Sequence, residues 1–325
     1  MTPPTRIVFL GSGGFAVPIL DALAASPAVK LVGVVSTPAR PAGRTAALRP
    51  TPVAARVTEL GVPLLLLARL RDPEAASAIA ALAPDLLVLA DYGRIVPGPL
   101  LDLAPHGALN LHPSLLPRHR GATPVPAAIA AGDAETGVSL IRMDTGIDTG
   151  PIVAQRRLPL SDDEDAPGLE ARLAAEAAQL LMESLAGWLD GTLPAVPQQT
   201  EGASLTRPFR REDGRLDPAR STTELDRQVR ALRPWPGTYL DRSDGRILVW
   251  AARPGDAARP AEGSPGDLTL HGGALALVTS DGLLELTEVQ PAGGKRMRGA
   301  DLARGRPALL SAARGASPAI PRAER

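Results

Sequence analysis

The first half of the chain alternates short apolar runs with segments of helical spacing. Runs suited to buried strands occupy residues 6–10, 31–36, 63–67 and 85–90, and helix-like segments occupy residues 15–25, 51–60 and 73–82. Alternation at this spacing is typical of βαβ units, in which helices join parallel strands. The sequence therefore predicts an α/β N-terminal domain with a Rossmann-like, mostly parallel sheet.

The pattern changes near residue 190. Residues 191–206 are rich in proline, glycine and polar side chains, as linkers are. Beyond them a short helix is expected at 223–232, and then strand-like runs at 237–240, 247–251, 267–270, 274–279 and 283–289. Short strands at this spacing indicate a small β-barrel or sandwich. We expect a first domain over 1–190, a linker over 191–206, a β domain over 207–312 and a disordered tail over 313–325.

The composition excludes some classes of chemistry. The chain of 325 residues has no cysteine, which rules out disulfides, thiolate catalysis and cysteine zinc sites. It begins without the apolar stretch of an export signal, and no apolar run approaches the ~18 residues that span a bilayer. We therefore expect a soluble, cytoplasmic protein with no membrane role. The 35 basic and 35 acidic side chains balance, so a nucleic-acid partner would need a local basic patch.

Three side chains form a candidate catalytic set: Asn110, His112 and Asp148. Residues 107–111 are predicted to form a buried strand that ends at Pro113, and residues two apart in a strand share a face. An amide can stabilise a developing oxyanion, an imidazole can move a proton near neutral pH, and a carboxylate can fix the tautomer of that imidazole. The alternative is a histidine satisfied at a strand end, with Asn110 serving the turn. Strands expected at 138–143 and 151–157 are predicted to pair around the loop that carries Asp148.

The sequence around these three residues resembles that of a known family. His112-Pro-Ser-Leu-Leu-Pro-Arg-His-Arg-Gly-Ala-Thr-Pro, Gly132-Asp-Ala-Glu-Thr-Gly-Val and Met143-Asp-Thr-Gly-Ile-Asp-Thr-Gly150 resemble the folate-dependent formyltransferases. The resemblance runs from about residue 6 to about residue 312. Arg233-Pro-Trp-Pro236 and Gln290-Pro-Ala-Gly-Gly-Lys295 are most similar to the members that act on tRNA.

This resemblance implies roles for particular residues. Asn110, His112 and Asp148 would be the catalytic trio, and a folate pocket would be formed by Ser114, Leu115, Leu116, Pro117 and Tyr92. Residues 1–190 would be the catalytic domain, and residues 207–312 an OB-like, tRNA-binding barrel. The donor would be 10-formyltetrahydrofolate and the acceptor the amino group of initiator methionyl-tRNA, with no metal, nicotinamide or protein partner. Acceptors left open are a sugar nucleotide or another small amine.

A glycine turn near the N-terminus offers a rival interpretation. Gly11-Ser-Gly13-Gly-Phe-Ala16 fits the dinucleotide fingerprint between a strand and a helix. The expected acid at the end of the second strand is missing, although Arg40 or Arg44 could hold the 2′-phosphate of NADP. An NADP-dependent oxidoreductase is therefore the alternative, but we favour glycines that only tighten the turn. The resembled family commonly has Pro-Asp where this chain has Gly13-Gly14.

A basic segment over residues 36–52 shows no periodicity and is predicted to be a loop. Loops of this length in compact domains are usually functional or disordered. The segment contains Arg40, Arg44 and Arg49, and the resemblance implies that its Pro-Ala-Gly-Arg sequence helps to recognise tRNA. The alternative is an ordinary solvated surface loop.

Overall fold

The structure is a computed structural model that describes residues 3–42, 47–243, 245–258 and 263–310. Residues up to 128, with 133–162 and 167–208, form a first compact unit. Residues from 209 onward, with 129–132 and 163–166, form a second. The predicted disordered tail at 313–325 lies outside the described residues. The boundaries of the predicted domains stay a prediction.

The first unit alternates strands and helices. Its strands are β1 (Thr5–Gly11), β2 (Val29–Ser36), β3 (Arg40–Ala42), β4 (Ala47–Arg49), β5 (Leu64–Leu66), β6 (Leu86–Ala90), β7 (Ala108–His112), β8 (Arg120–Gly121), β9 (Glu135–Arg142), β10 (Ile152–Pro159) and β11 (Leu205–Thr206). Its helices are α1 (Ala16–Ala25), α2 (Pro52–Leu60), α3 (Pro73–Ala80), α4 (Gly98–Leu101), α5 (Pro124–Ala131) and α6 (Ala166–Leu189), the ends of the last two being counted with the second unit.

A seven-stranded sheet with the order β10-β9-β7-β6-β1-β2-β5 organises this unit. The five strands from β7 to β5 are parallel, and β9 runs antiparallel to both of its neighbours, β7 and β10. The predicted Rossmann-like, mostly parallel sheet is therefore confirmed, as is the pairing of the two strands around Asp148. The strand order reverses between β1 and β6, so a crevice opens at the carboxyl ends of the central strands, where sheets of this kind bind ligands.

Local sequence accounts for the ends of the helices. Helix α2 begins after Thr51, whose hydroxyl accepts a hydrogen bond from the Ala54 amide at 3.1 Å, and Pro52 occupies the first turn. The helix ends at Gly61, which has a φ of 68° and adopts the left-handed conformation that closes a helix. Strand β6 is buried along its whole length, which accounts for its continuous apolar sequence.

The second unit is an antiparallel β structure with two helices, α7 (Thr222–Ala231) and α8 (Gly299–Gly305). Its strands are β12 (Thr238–Leu240), β13 (Ile247–Ala258), β14 (Leu268–His271), β15 (Ala274–Val278), β16 (Gly282–Pro291) and β17 (Met297–Arg298). Strands β12, β13, β16, β15 and β14 are neighbours in that order, and β17 pairs with β16. All five predicted strand runs are confirmed, whereas β17 and α8 were not predicted because each is too short to show a period.

The segment predicted to be a linker is tied to the first unit. Strand β11 pairs with β8 in parallel, and Val196 exchanges two backbone hydrogen bonds of 2.7 Å with Ile152. We call residues 196–206 the strap. Its proline and polar composition suits a solvated chain, but its backbone groups find partners on the sheet and on nearby loops.

No helix within the described part of the chain is both long and apolar enough to cross a membrane.

Candidate active site

Asn110 and His112 lie at the carboxyl end of β7. The strand is held by β6 on one side and by β9 on the other, where Asn110 is opposite Ile141 and His112 is opposite Ser139. The ladder stops at Pro113, which has no amide hydrogen to donate. The side chain of His112 is buried and that of Asn110 is partly exposed. The two polar side chains therefore project from one face of the strand, as their spacing predicts.

Asp148 joins them from the loop between β9 and β10. Its carboxylate Oδ1 accepts a hydrogen bond from Asn110 Nδ2 at 3.4 Å, and its Oδ2 lies 3.5 Å from His112 Nδ1. Oδ2 also accepts a hydrogen bond from the Gly121 amide at 2.8 Å. The first two contacts are long, as contacts between catalytic groups often are before substrate binds. The structure thus brings together the three residues that the sequence predicts as a set.

The hydrogen bonds of the His112 ring differ from the expected pattern. Its Nε2 lies 2.9 Å from the backbone carbonyl of His119, and a carbonyl can only accept. Nε2 therefore carries the hydrogen of the neutral ring, and Nδ1 faces Asp148 with its lone pair. The carbonyl of His119, rather than the expected carboxylate, selects the tautomer. When Nδ1 takes a proton, the cation finds an acceptor at each nitrogen.

His119 is a site residue that the sequence interpretation missed. It contacts His112 through its backbone carbonyl rather than through its side chain. Its φ is 57°, and its side chain Nε2 lies 2.7 Å from Asp133 Oδ2. A left-handed histidine costs energy unless its surroundings hold it, and the hydrogen bond with Asp133 is part of that support. No spacing in the sequence signals a contact made by a carbonyl group.

The residues predicted to line a folate pocket have structural contacts of their own. Ser114 is fully buried and donates to the carbonyl of Arg118 at 2.7 Å, and the Leu116 amide donates to Ser139 Oγ at 3.0 Å. Leu115 and Pro117 are partly exposed. These contacts shape the turn after β7, and folate binding by this turn stays a prediction.

Tyr92 is 5% exposed and packs in the apolar cluster beside β1 and β6. Its hydroxyl has no hydrogen-bond partner among the described residues, and burial raises the pKa of Tyr92 to about 12. The side chain is therefore a neutral hydrogen-bond donor at physiological pH. Its predicted contact with folate stays a prediction.

The loop that carries Asp148 also forms one wall of a cleft of about 320 Å³. Asp144 and Thr145 lie in that wall, and Gly98, Leu101 and Met143 lie opposite or beside them. Asp144 accepts hydrogen bonds from Thr149 Oγ1 and from the Gly146 amide, at 2.7 and 3.0 Å. Asp144 therefore supports the loop that carries Asp148.

The glycine turn near the N-terminus packs closely against Asp91. The amides of Ser12 and Gly13 both donate to the carbonyl of Asp91, and a Cβ on Gly13 would lie 1.6 Å from Asp91 Oδ2. A side chain at residue 13 would thus require the Asp91 carboxylate to move. The end of β2 carries the buried hydroxyls of Ser36 and Thr37 and no acid.

Asp91 should make stability depend on pH. Burial, followed by the charge of Glu170, raises the pKa of Asp91 from 3.8 to about 7. Between these values the folded protein keeps a proton that the unfolded chain has released, so the free energy of unfolding should fall as the pH rises through this interval. We expect Asp91→Asn to remove this fall. Urea unfolding of both proteins in small pH steps measures it.

The comparison of the two proteins isolates Asp91 from the other carboxyl groups. Burial also raises the pKa of Glu170, so Glu170 adds a slope of the same sign to both proteins. Equal pH slopes for the wild type and for Asp91→Asn would contradict the prediction.

The basic segment is not a plain loop. Strands β3 and β4 form a short antiparallel pair in which Arg40 is opposite Arg49, so the prediction of a segment without secondary structure is wrong in this part. Such three-residue strands are too short to show periodicity in the sequence. Arg49 is exposed, and Arg44 lies outside the described residues. Binding of tRNA by these arginines stays a prediction.

Among the described residues, no group of three or more histidine and acidic side chains could hold a metal ion.

Two family descriptions match the chain. The formyl transferase family matches residues 5–185, and the formyl transferase C-terminal domain matches residues 208–307. Together they cover both compact units. These matches, over a Rossmann-like sheet and an antiparallel β domain, place the chain in the class of enzymes that transfer formyl groups.

Similar proteins indicate a particular group within this family. A methionyl-tRNA formyltransferase from Thermus thermophilus is 45% identical over 303 residues, which is 92% of this chain and 96% of the relative. The protein of that name from Myxococcus xanthus is 41% identical over 301 residues, or 92% and 95% of the two chains. The chain therefore belongs to the formyl transferase family, within the group of methionyl-tRNA formyltransferases.

Solved structures share the fold. An N-formyltransferase from Helicobacter canadensis, in complex with folinic acid and dTDP-3-aminofucose, has a TM-score of 0.64 and 14% identity over 90% of this chain and all of that chain. HypX from Aquifex aeolicus, in complex with tetrahydrofolic acid, has a TM-score of 0.61 and 19% identity over 95% of this chain. This chain spans 48% of that HypX chain, about half its length. At these identities the similarity concerns the fold alone.

Proposed function

We propose that the protein transfers a formyl group from 10-formyltetrahydrofolate to the α-amino group of methionine esterified to initiator tRNA. One observation carries the proposal: Asp148 contacts both Asn110 and His112 in a chain that is 45% identical to a methionyl-tRNA formyltransferase over 92% of its length. We further propose that the enzyme works in the cytoplasm, without a membrane or a protein partner.

In this proposal Asn110 stabilises the developing charge. The amine of the charged tRNA attacks the formyl carbon, and the carbonyl oxygen becomes an oxyanion in a tetrahedral intermediate. Asn110 Nδ2 donates to Asp148 in the free enzyme and has a second hydrogen that can be directed at that oxygen. An amide donor of this kind acts where charge develops, and it therefore lowers the barrier more than it strengthens substrate binding.

In this proposal His112 carries the proton, and Asp148 stabilises the charged ring. Nδ1 of His112 has a lone pair, because the His119 carbonyl holds the hydrogen on Nε2. Nδ1 accepts the proton that the attacking amine releases and returns it to the departing folate nitrogen as the bond from carbon to that nitrogen breaks. Asp148 Oδ2, 3.5 Å away, stabilises the ring during the interval in which it is a cation.

The folate donor is proposed to lie against the turn formed by Ser114, Leu115, Leu116 and Pro117. This turn follows His112 directly, so a donor held against it would lie beside the catalytic trio. Tyr92 would contribute its hydroxyl, which has no partner among the described residues. The donor is proposed to act there without a metal or a nicotinamide.

Arg40, Arg44 and Arg49 are proposed to meet the tRNA. In the second unit, the guanidinium of Arg211 lies 5.8 Å from the ring centre of Trp235, and that tryptophan is 54% exposed. The guanidinium of Arg296 lies 4.9 Å from the ring centre of Trp250. Trp235 is exposed and Trp250 is half-buried, and accessible aromatic rings beside arginines suit an RNA surface because they combine stacking with attraction to phosphate.

A formylation assay tests the proposal. The purified chain is mixed with 10-formyltetrahydrofolate and either initiator or elongator methionyl-tRNA, and formyl-methionine is counted after base hydrolysis. We expect rapid formylation that favours the initiator. Tetrahydrofolate binding without formylation of either tRNA would overturn the proposed acceptor and redirect the search to sugar nucleotides and other small amines.

A further inference from the structure

Gln198 of the strap contacts the loop that carries Asp148. Its Nε2 donates to the backbone carbonyl of Asp148 at 2.8 Å and to that of Gly150 at 2.7 Å. Its Oε1 accepts from Arg120 Nε at 3.1 Å and from Arg120 Nη2 at 2.7 Å. A side chain from a segment with linker composition thus holds the backbone at the catalytic aspartate and two residues after it.

The orientation of the Gln198 amide follows from its partners. Arginine has no acceptor, so the amide oxygen must face Arg120, and the two carbonyls can only accept, so both amide hydrogens face the loop. All four hydrogen bonds that the amide can form are made. A carboxylate in the same place would keep the contacts with Arg120 but oppose two carbonyl oxygens.

Asp148 needs such support. Its φ is 52°, in the left-handed region, which a residue other than glycine keeps only when its surroundings hold it there. The Gly121 amide fixes one carboxylate oxygen at 2.8 Å, but the contacts with Asn110 and His112 are 3.4 and 3.5 Å. Small rotations of the loop would therefore move the carboxylate out of reach of both catalytic side chains.

The same strap reaches the other side of the site. Ser204 Oγ accepts a hydrogen bond from the His119 amide at 2.8 Å, and the carbonyl of Ser204 accepts one from the Arg120 amide at 2.9 Å. His119 is the residue whose carbonyl orients the His112 ring. Both loops that set the geometry of His112 are therefore fastened to one segment.

We propose that Gln198 is a positioning residue for formyl transfer, which holds Asp148 at the distance at which its carboxylate meets Asn110 and His112. The proposal rests on the proposed catalytic role of Asp148. The polar strap would then have a functional role that its composition does not indicate.

The test compares Gln198→Glu and Gln198→Ala with Gln199→Glu and Gln199→Ala, which make the same changes at an exposed neighbour. A displacement of about 1 Å in a catalytic group can cost about 10²-fold in rate, so we expect kcat to fall by about 10- to 100-fold in both Gln198 variants. The KM values for folate and for charged tRNA should stay within about twofold of the wild-type values, because Gln198 is not proposed to touch either substrate. The Gln199 variants should behave as the wild type.

A spectroscopic readout separates positioning from general stability. Asn110 is the single asparagine of the chain, so protein labelled with ¹⁵N-asparagine has one side-chain amide signal. Because Asn110 Nδ2 donates to Asp148 Oδ1, this signal reports the position of the carboxylate. We expect it to shift in the Gln198 variants and to stay unchanged in the Gln199 variants. The pH profile of kcat should move in the direction seen for Asp148→Asn.

Asp148→Asn separates a failure of the catalytic role of Asp148 from a failure of the positioning role of Gln198. If Asp148→Asn retains wild-type kcat, the proposed role of Asp148 fails and the role of Gln198 fails with it. If Asp148→Asn is inactive while both Gln198 variants keep wild-type kcat and an unshifted Asn110 signal, the positioning role alone is overturned. If Gln198→Glu does not fold, Gln198→Ala, which introduces no charge, decides by the same two measurements.

Discussion

His112→Ala is expected to reduce kcat for formyl transfer by at least about two orders of magnitude and to leave the fold intact. A positioned general acid or base contributes about 10²- to 10⁴-fold to rate, and in the proposed mechanism Nδ1 of His112 carries the proton from the amine to the folate nitrogen. The ring lies at a strand end and is not part of the apolar core clusters, so its loss should affect catalysis more than folding. Single-turnover formylation of charged tRNA measures the chemical step directly.

His106→Ala provides the matched control. His106 precedes the same strand, and its described hydrogen bonds are made by its backbone, which accepts from Trp188 and donates to the carbonyl of Asp85. It should therefore retain wild-type kcat. A His112→Ala protein with wild-type single-turnover rate, in a preparation shown to be folded by circular dichroism, would remove His112 from the chemistry.

Asn110→Ala has the second largest expected effect. Removing one donor to a developing oxyanion typically costs about 10²- to 10³-fold in kcat, and Asn110 is the amide of the predicted trio. Because the interaction strengthens only as charge develops, KM should change by much less than kcat. Steady-state kinetics with each substrate varied in turn measures the split.

Asn110→Asp separates hydrogen bonding from shape. The carboxylate keeps the size of the side chain but replaces a donor with an acceptor, and it places a negative charge beside Asp148. It should be at least as impaired as Asn110→Ala. Activity near the wild-type level in both variants would show that the oxyanion is stabilised elsewhere.

Much of the architecture was accessible from local sequence. Strand β6 was predicted because it is apolar throughout, and helix α2 was predicted from the helical spacing of residues 51–60. The five principal strands of the second unit were predicted from short runs between turns. Elements of two or three residues, such as β3, β4 and β17, were missed because a period cannot be recognised in so few residues.

Some features of the candidate site could likewise be predicted from local sequence, and others could not. The spacing of Asn110 and His112 put both on one face of a strand, and Pro113 ended that strand, because these properties depend on the backbone of a single element. The contact of Asn110 with Asp148 spans 38 residues and depends on the pairing of β7, β9 and β10. A resemblance to a known family pointed to Asp148, but its distance from His112 could not be derived from spacing.

The sequence by itself determined the order of strands and helices, the shared face of Asn110 and His112 and the family to which the chain belongs. Only the tertiary structure decided which hydrogen bonds hold the site. The His119 carbonyl orients His112, and Gln198 from a segment of linker composition holds the backbone of Asp148. The physical reason is that every residue has a backbone carbonyl, so local sequence does not show which carbonyl is used, and the partners are fixed only when distant segments pack together.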